Sequence, residues 1–122
     1  MTMTRALSAS TITGDTVRNT NGDDLGNIEE IVLDLDSGRV AYTVLAAGGF
    51  LGVGEKFFAI PWDMVTVDLD NKEVILDIDK ELLKAAPGFD KDNWPQLADQ
   101  AYMSEVYRYY EQTPYWEITD NL

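Results

Sequence analysis

The sequence predicts a mainly β fold, a small β-barrel of about six short strands followed by a C-terminal helical tail. Three observations carry this expectation. Turn signals punctuate residues 10–79 at short, fairly regular intervals; apolar and polar residues alternate between them; and helical spacing appears, with most of the aromatic residues, only near the end of the chain. The expected division is a barrel over 8–90 and an aromatic-rich helical tail over 91–122.

Asn21-Gly22-Asp23-Asp24 lies between Thr16-Val17-Arg18 and Gly26-Asn27-Ile28. Asn-Gly favours a tight turn because both positions tolerate positive φ, so a hairpin is expected there. From Glu30 the chain alternates, with Ile31, Leu33 and Leu35 on one face and Glu30, Val32 and Asp34 on the other, the pattern of a half-buried strand. Asp36-Ser37-Gly38 turns the chain, and residues 40–47 are nearly apolar on both faces, which suits a central strand. Gly48-Gly49-Phe50-Leu51-Gly52-Val53-Gly54 reads as a flexible loop with apolar side chains at its tip. Strands resume over 56–60, 64–68 and 73–78, the last two joined by Asp70-Asn71-Lys72. Pro61 has no amide for a ladder, so it ends one strand and redirects the chain. Residues 80–86 predict a helix of one or two turns, capped by Asp79 and stopped by Pro87-Gly88.

In the tail, Leu97, Ala101, Tyr102, Val106, Tyr109 and Tyr110 recur at helical spacing after Asn93-Trp94-Pro95, with Asp99, Glu105, Arg108 and Glu111 mainly on other faces. The spacing predicts a helix of about 15 residues over 95–111, ending before Thr113-Pro114-Tyr115-Trp116. Residues 93–122 hold five of the six Tyr and two of the three Trp, so the tail must pack on the barrel or on a partner.

A chain of 122 residues with 45% hydrophobic residues has one small domain's worth of core and enough apolar surface to fold. His and Cys are both absent, which removes imidazole acid/base catalysis, thiol nucleophiles, disulfides, iron–sulfur ligation and the usual zinc and copper sites. No cofactor is expected. Nine Lys+Arg against 22 Asp+Glu give a net charge of −13, which repels phosphate backbones and anionic membrane surfaces and disfavours direct nucleic-acid binding. The first ten residues hold no secretory-type apolar run, and no stretch approaches the roughly 20 residues that span a bilayer, so a cytoplasmic protein is expected.

The stretch VRNTNGDDLGNIEEIVLDLDSGRVAYTVLAAGGFLGVGEKFFAIPWDMV, followed by VILDIDKELLKAAPGFDKDNWP, resembles the PRC-barrel family over about residues 8–95. The resemblance rests on an order of pieces: the Asn-Gly turn, Gly26, the segment 34–40, the Gly-rich loop, Ala59-Ile60-Pro61-Trp62, and Ala86-Pro87-Gly88-Phe89. The family takes its name from the cytoplasmic barrel of the photosynthetic reaction-centre H subunit, and a related barrel belongs to a ribosome maturation factor that binds a small-subunit ribosomal protein. The resemblance implies a small β-barrel and, for most stand-alone members, no established chemistry. Neither the membrane helix of the first protein nor the additional N-terminal domain of the second is expected here, so the resemblance alone assigns neither job.

Several motifs invite a chemical reading and fail its spacing. Gly49 to Lys56 looks like a phosphate loop, but Glu55 intervenes before Lys56 and Phe57 stands where Ser or Thr must be. Asp34-Leu35-Asp36-Ser37-Gly38 and Asp68-Leu69-Asp70-Asn71 look like calcium loops, yet counting from Asp34 the sixth and twelfth positions are Arg39 and Leu45, not Gly and Glu. Acidic residues stabilising hairpin turns explain both. The pairs Asp77/Asp79 and Glu29/Glu30 lack a nucleophile or oxyanion motif beside them.

Two classes of function remain: a non-enzymatic protein-interaction or adaptor module, and a small enzyme or ion-binding protein using carboxylates alone. The adaptor reading is preferred because a rigid barrel, exposed apolar groups and an acidic surface would steer basic partners. An accessory of a photosynthetic or other electron-transfer complex, attached peripherally to the membrane, is one version of it, and attachment to a ribosomal or RNA-processing assembly through a basic protein is the other. The expected partner-binding residues are Phe50, Leu51, Trp62, Tyr110 and Trp116, and the expected partners are a second copy, as a homodimer, and another protein.

Overall fold

The hairpin at Asn21-Gly22 forms between β1 (Thr16–Arg18) and β2 (Asp24–Leu33), and Asn19 is what secures it. Its side chain is buried, with Oδ1 accepting from the Asn21 and Asp23 amides at 3.1 and 2.9 Å. Nδ2 donates to Asp23 Oδ2 at 3.0 Å and to the Ile78 carbonyl at 3.1 Å. The carboxamide thereby fills both donors and both acceptor positions, fixing the turn and tying it to the chain beyond the last long strand.

The computed structural model describes residues 6–48, 55–90, 92–96 and 98–117. A short helix α1 (Ala9–Ile12) precedes β1; β3 (Val40–Ala47) and β4 (Lys56–Ile60) follow β2. A 3₁₀ turn (Trp62–Met64) begins directly after Pro61 and leads into β5 (Val65–Asp68) and β6 (Glu73–Leu76). Then come α2 (Lys80–Lys84), the two-residue strand β7 (Gly88–Phe89), α3 (Gln100–Tyr109) and a final 3₁₀ turn (Tyr115–Glu117). The strands form one sheet in the order β5-β6-β1-β2-β3-β4-β7, with only β1 and β6 parallel.

This is the expected mainly β architecture with two corrections. The sheet has seven strands rather than about six, and among the described residues it is not closed, because its two edge strands, β5 and β7, do not pair with each other. The seventh strand comes from Gly88-Phe89, directly after Pro87 and overlapping the Pro87-Gly88 pair that the sequence reads only as a helix stop. A Cβ at Gly88 would fall 2.9 Å from the Phe57 carbonyl oxygen and 2.8 Å from Phe58 Cε1, so only glycine lets this backbone lie against β4.

The alternation read from Glu30 onward does not set the buried face of β2. Leu25, Ile28 and Val32 are buried, whereas Leu33 is 57% and Leu35 90% exposed. Register shifts between Ile28 and Glu30 and between Val32 and Leu33 break the two-residue period. Gly26 enables the start of this strand: its φ is +137°, and a Cβ there would sit 2.0 Å from the Ala46 carbonyl oxygen of β3.

The core is one cluster built on β3 and β4, where residues 41–47 and 57–60 are all buried. The tail belongs to it: Met103, Val106, Tyr107 and Tyr110 repeat at i, i+3, i+4 and i+7 and join the same cluster, as does Tyr115. Helix α3 is shorter than the expected 95–111 because Asp99, not the Pro95 region, starts it; Asp99 Oδ1 accepts from the Ala101 and Tyr102 amides at 3.0 and 3.2 Å. Asp79 holds the N-cap position of α2 without a side-chain cap bond. Among the described residues, no helix is long and apolar enough to cross a membrane.

Candidate interaction groove

Asp34 closes the turn between β2 and β3. Its Oδ1 accepts from the Asp36 and Ser37 amides at 2.9 and 3.2 Å, and its own amide donates to the Arg39 carbonyl at 2.8 Å. The other carboxylate oxygen accepts from the Tyr115 hydroxyl at 2.6 Å, while Arg39 Nη1 donates to the Tyr115 carbonyl at 2.7 Å. Tyr115 is thus held by side chain and main chain together. The Tyr115 hydroxyl is the main reason the Asp34 carboxyl lies below its usual range. Burial, followed by the bond to Asp34, pushes the Tyr115 phenol up to about 12.

Fixing Tyr115 also fixes Trp116, whose ring lies 5.2 Å from that of Tyr115 and 5.7 Å from that of Tyr107. A second aromatic group places Trp94, with ring centroids 5.3 Å from Phe57 and 4.9 Å from Phe89. Trp94 and Trp116 both line an open groove of about 950 Å³ beside the β2–β3 turn. Val32, Ala41 and Met103 are its buried apolar base, and Leu33 and Leu35 stand largely in solvent along it. Glu30, Asp34 and Asp36 supply charge, and no Lys, Arg or His is among the described lining residues.

Of the residues expected to bind partners, Trp116 lines this groove. Trp62 is half-buried in the 3₁₀ turn after β4, packed against the core away from the groove lining. Tyr110 is 6% exposed, and its buried hydroxyl has no partner among the described residues. Phe50 and Leu51, with most of the Gly-rich loop, lie outside the described residues. Sequence reading missed Leu33, Leu35, Trp94 and Met103 as a group; the one local signal was Asp-Leu-Asp at 34–36, a large apolar residue between two acids in a turn.

The acidic motifs have local partners. Asp68 Oδ1 accepts from the Asp70 and Asn71 amides at 3.1 and 3.2 Å and its Oδ2 from Asn71 Nδ2 at 2.8 Å, which lowers its pKa. Asp77 accepts from the Thr20 hydroxyl at 3.0 Å. Among the described residues no group of three or more acidic side chains is arranged to hold a metal ion.

The PRC-barrel domain model matches residues 5–83. No curated protein matches the chain. One solved structure that matches is described as the 16S ribosomal RNA processing protein RimM of Pseudomonas aeruginosa, at 19% identity and a TM-score of 0.43, over 62% of this chain and 45% of that one. The chain therefore spans less than half the length of that protein.

Proposed function

The chain belongs to the PRC-barrel domain family, and on that premise we propose that it is a non-enzymatic protein-interaction module whose contact face is the groove between the β2–β3 turn and the C-terminal segment. The observation that carries this reading is the pair Leu33 and Leu35, 57% and 90% exposed beside a groove whose aromatic walls are already in place. Large apolar side chains held in water next to a concave apolar surface mark a contact site more often than a catalytic one. The use of Asp34, Asp68 and Asp77 in local hydrogen bonds supports a binder over a carboxylate enzyme or ion carrier. Attachment to an electron-transfer complex or to another assembly through a basic protein both fall within this reading.

The Phe50-Leu51 loop is proposed as a second contact. Phe50→Ala then weakens partner capture by about 1–3 kcal/mol, the usual cost of truncating an interface anchor, with little change in melting temperature. Homodimer formation is the companion proposal, and light scattering at tens of micromolar tests it. A two-copy contact through the groove would bring each copy's Glu30, Asp34 and Asp36 toward the other's, so the groove itself favours a heterologous partner.

Affinity capture from the native host with the wild type, the Leu33→Ser/Leu35→Ser variant and Leu82→Ser tests the contact face. Leu82 is 42% exposed and outside the groove lining, so it controls for loss of any surface leucine. Proteins retained by wild type and Leu82→Ser but lost with the double variant are the expected result; equal capture by all three would remove the groove from the account.

A further inference from the structure

We propose that the groove takes a segment of a basic protein that sets neighbouring apolar side chains between Trp94 and Trp116 and flanks them with lysine or arginine. This rests on the groove being the contact face and adds the chemistry of its occupant. The base of the groove, Val32, Ala41 and Met103, offers only apolar atoms or a thioether to whatever enters, and the two indoles add broad faces that favour both aliphatic side chains and cations. Around that base stand Glu30, Asp34 and Asp36 with no cationic side chain in the described lining. The nearby guanidinium of Arg39 is directed to the Tyr115 carbonyl, where it braces the wall.

Charge selects among occupants. An acidic segment, or a second copy of this chain, would set like charge against three carboxylates that the contact itself would draw partly out of water. A neutral apolar segment would cover those carboxylates without replacing the water they lose. Lysine or arginine beside the apolar anchors satisfies both needs, and the overall charge of −13 raises the encounter rate with such a partner.

Three synthetic peptides of equal length test this: one with paired leucines and flanking lysines, one with the lysines replaced by glutamine, and one with the leucines replaced by serine. Binding is followed by backbone amide and indole NMR shifts. The Leu/Lys peptide is expected to saturate, to move amides of residues 31–36 and the Trp94 and Trp116 indoles, and to bind more tightly than either control. Glu30→Gln/Asp36→Asn should weaken it about fivefold, the order expected for two exposed charge contacts, and Leu33→Ser/Leu35→Ser should weaken it as well. Asp34 is left intact because it holds Tyr115. Equal binding of the Leu/Gln peptide at the groove would overturn the basic chemistry while leaving the contact face standing. Equal binding of the Lys/Ser peptide would reduce the effect to net charge and overturn the proposal. Shifts confined to other surfaces would overturn the contact face itself.

Discussion

The Tyr115 hydroxyl donates to Asp34 Oδ2 at 2.6 Å across 81 residues of sequence. With the Arg39 bond to the Tyr115 carbonyl, it clasps the C-terminal segment to the β2–β3 turn and so joins two walls of the groove. Tyr115→Phe removes the hydroxyl and keeps the ring. The expected result is a lower melting temperature and faster amide exchange in residues 34–39, with secondary structure unchanged. The clasp also sets an acid limb. Because the folded Asp34 pKa is depressed, its contribution is present above the ordinary value of 3.8 and is lost as pH falls through the lower folded value. Tyr115→Phe should therefore flatten the fall of stability in that acidic window; identical acid limbs for both proteins would show that the bond contributes nothing.

Gly26→Ala asks whether β2 can approach β3 with any side chain at that position. A Cβ would lie 2.0 Å from the Ala46 carbonyl oxygen, and the φ of +137° is one L-residues rarely adopt. The expected loss is about 3 kcal/mol or more, combining backbone strain with a clash that no side-chain movement relieves. Urea unfolding measures it, and a loss under about 1 kcal/mol, the ordinary effect of a point substitution, would mean that the strand shifts without penalty.

The parts of the fold legible in the sequence are those fixed by near neighbours. Asn21-Gly22 gives the hairpin, the run over 40–47 gives a strand covered on both sides, and Pro61 marks the end of β4. What escaped depends on pairing between distant residues. Gly88-Phe89 becomes a strand only because Phe57 and Phe58 present a free edge to it. Leu33 and Leu35 fit a buried alternation on paper, and only the register shifts against β3 release them to solvent. In the tail, the spacing starts the helix at Pro95, and the cap bonds of Asp99 start it at Gln100 instead. Trp116 stands out in the sequence through the aromatic surplus of the tail and lines the groove, but Trp94, which lines it too, is placed by Phe57 and Phe89, which no spacing rule connects to it.

The buried phenols predict an alkaline limit. Burial raises Tyr42 to about 12, and raises Tyr102, Tyr107 and Tyr110 further still. A phenol whose folded pKa is raised stabilises fully below its ordinary value of 10.0 and loses that contribution as pH climbs through the folded value. Stability should decline from about pH 10 upward, the usual phenol range, with tyrosinate absorbance of these residues appearing in step with unfolding. Gradual ionisation of every tyrosine in a protein that stays folded would contradict the buried arrangement.

Calcium or magnesium should raise the melting temperature no more than a monovalent salt of equal ionic strength. Asp34 and Asp68 already accept from turn amides and, through their second oxygens, from Tyr115 and Asn71. Divalent ions therefore act by screening a chain of charge −13. Calorimetry that finds a saturable site abolished by Asp36→Asn would reverse this and revive the ion-binding reading.

The central claim, that the groove is where this protein meets another, is tested most directly by placing a photo-cross-linking amino acid at position 35 and, separately, at position 82, and irradiating cells of the native host. A discrete adduct with a second, basic protein from position 35, absent from position 82, is the predicted result. No adduct from position 35, or the same adducts from both positions, would contradict it.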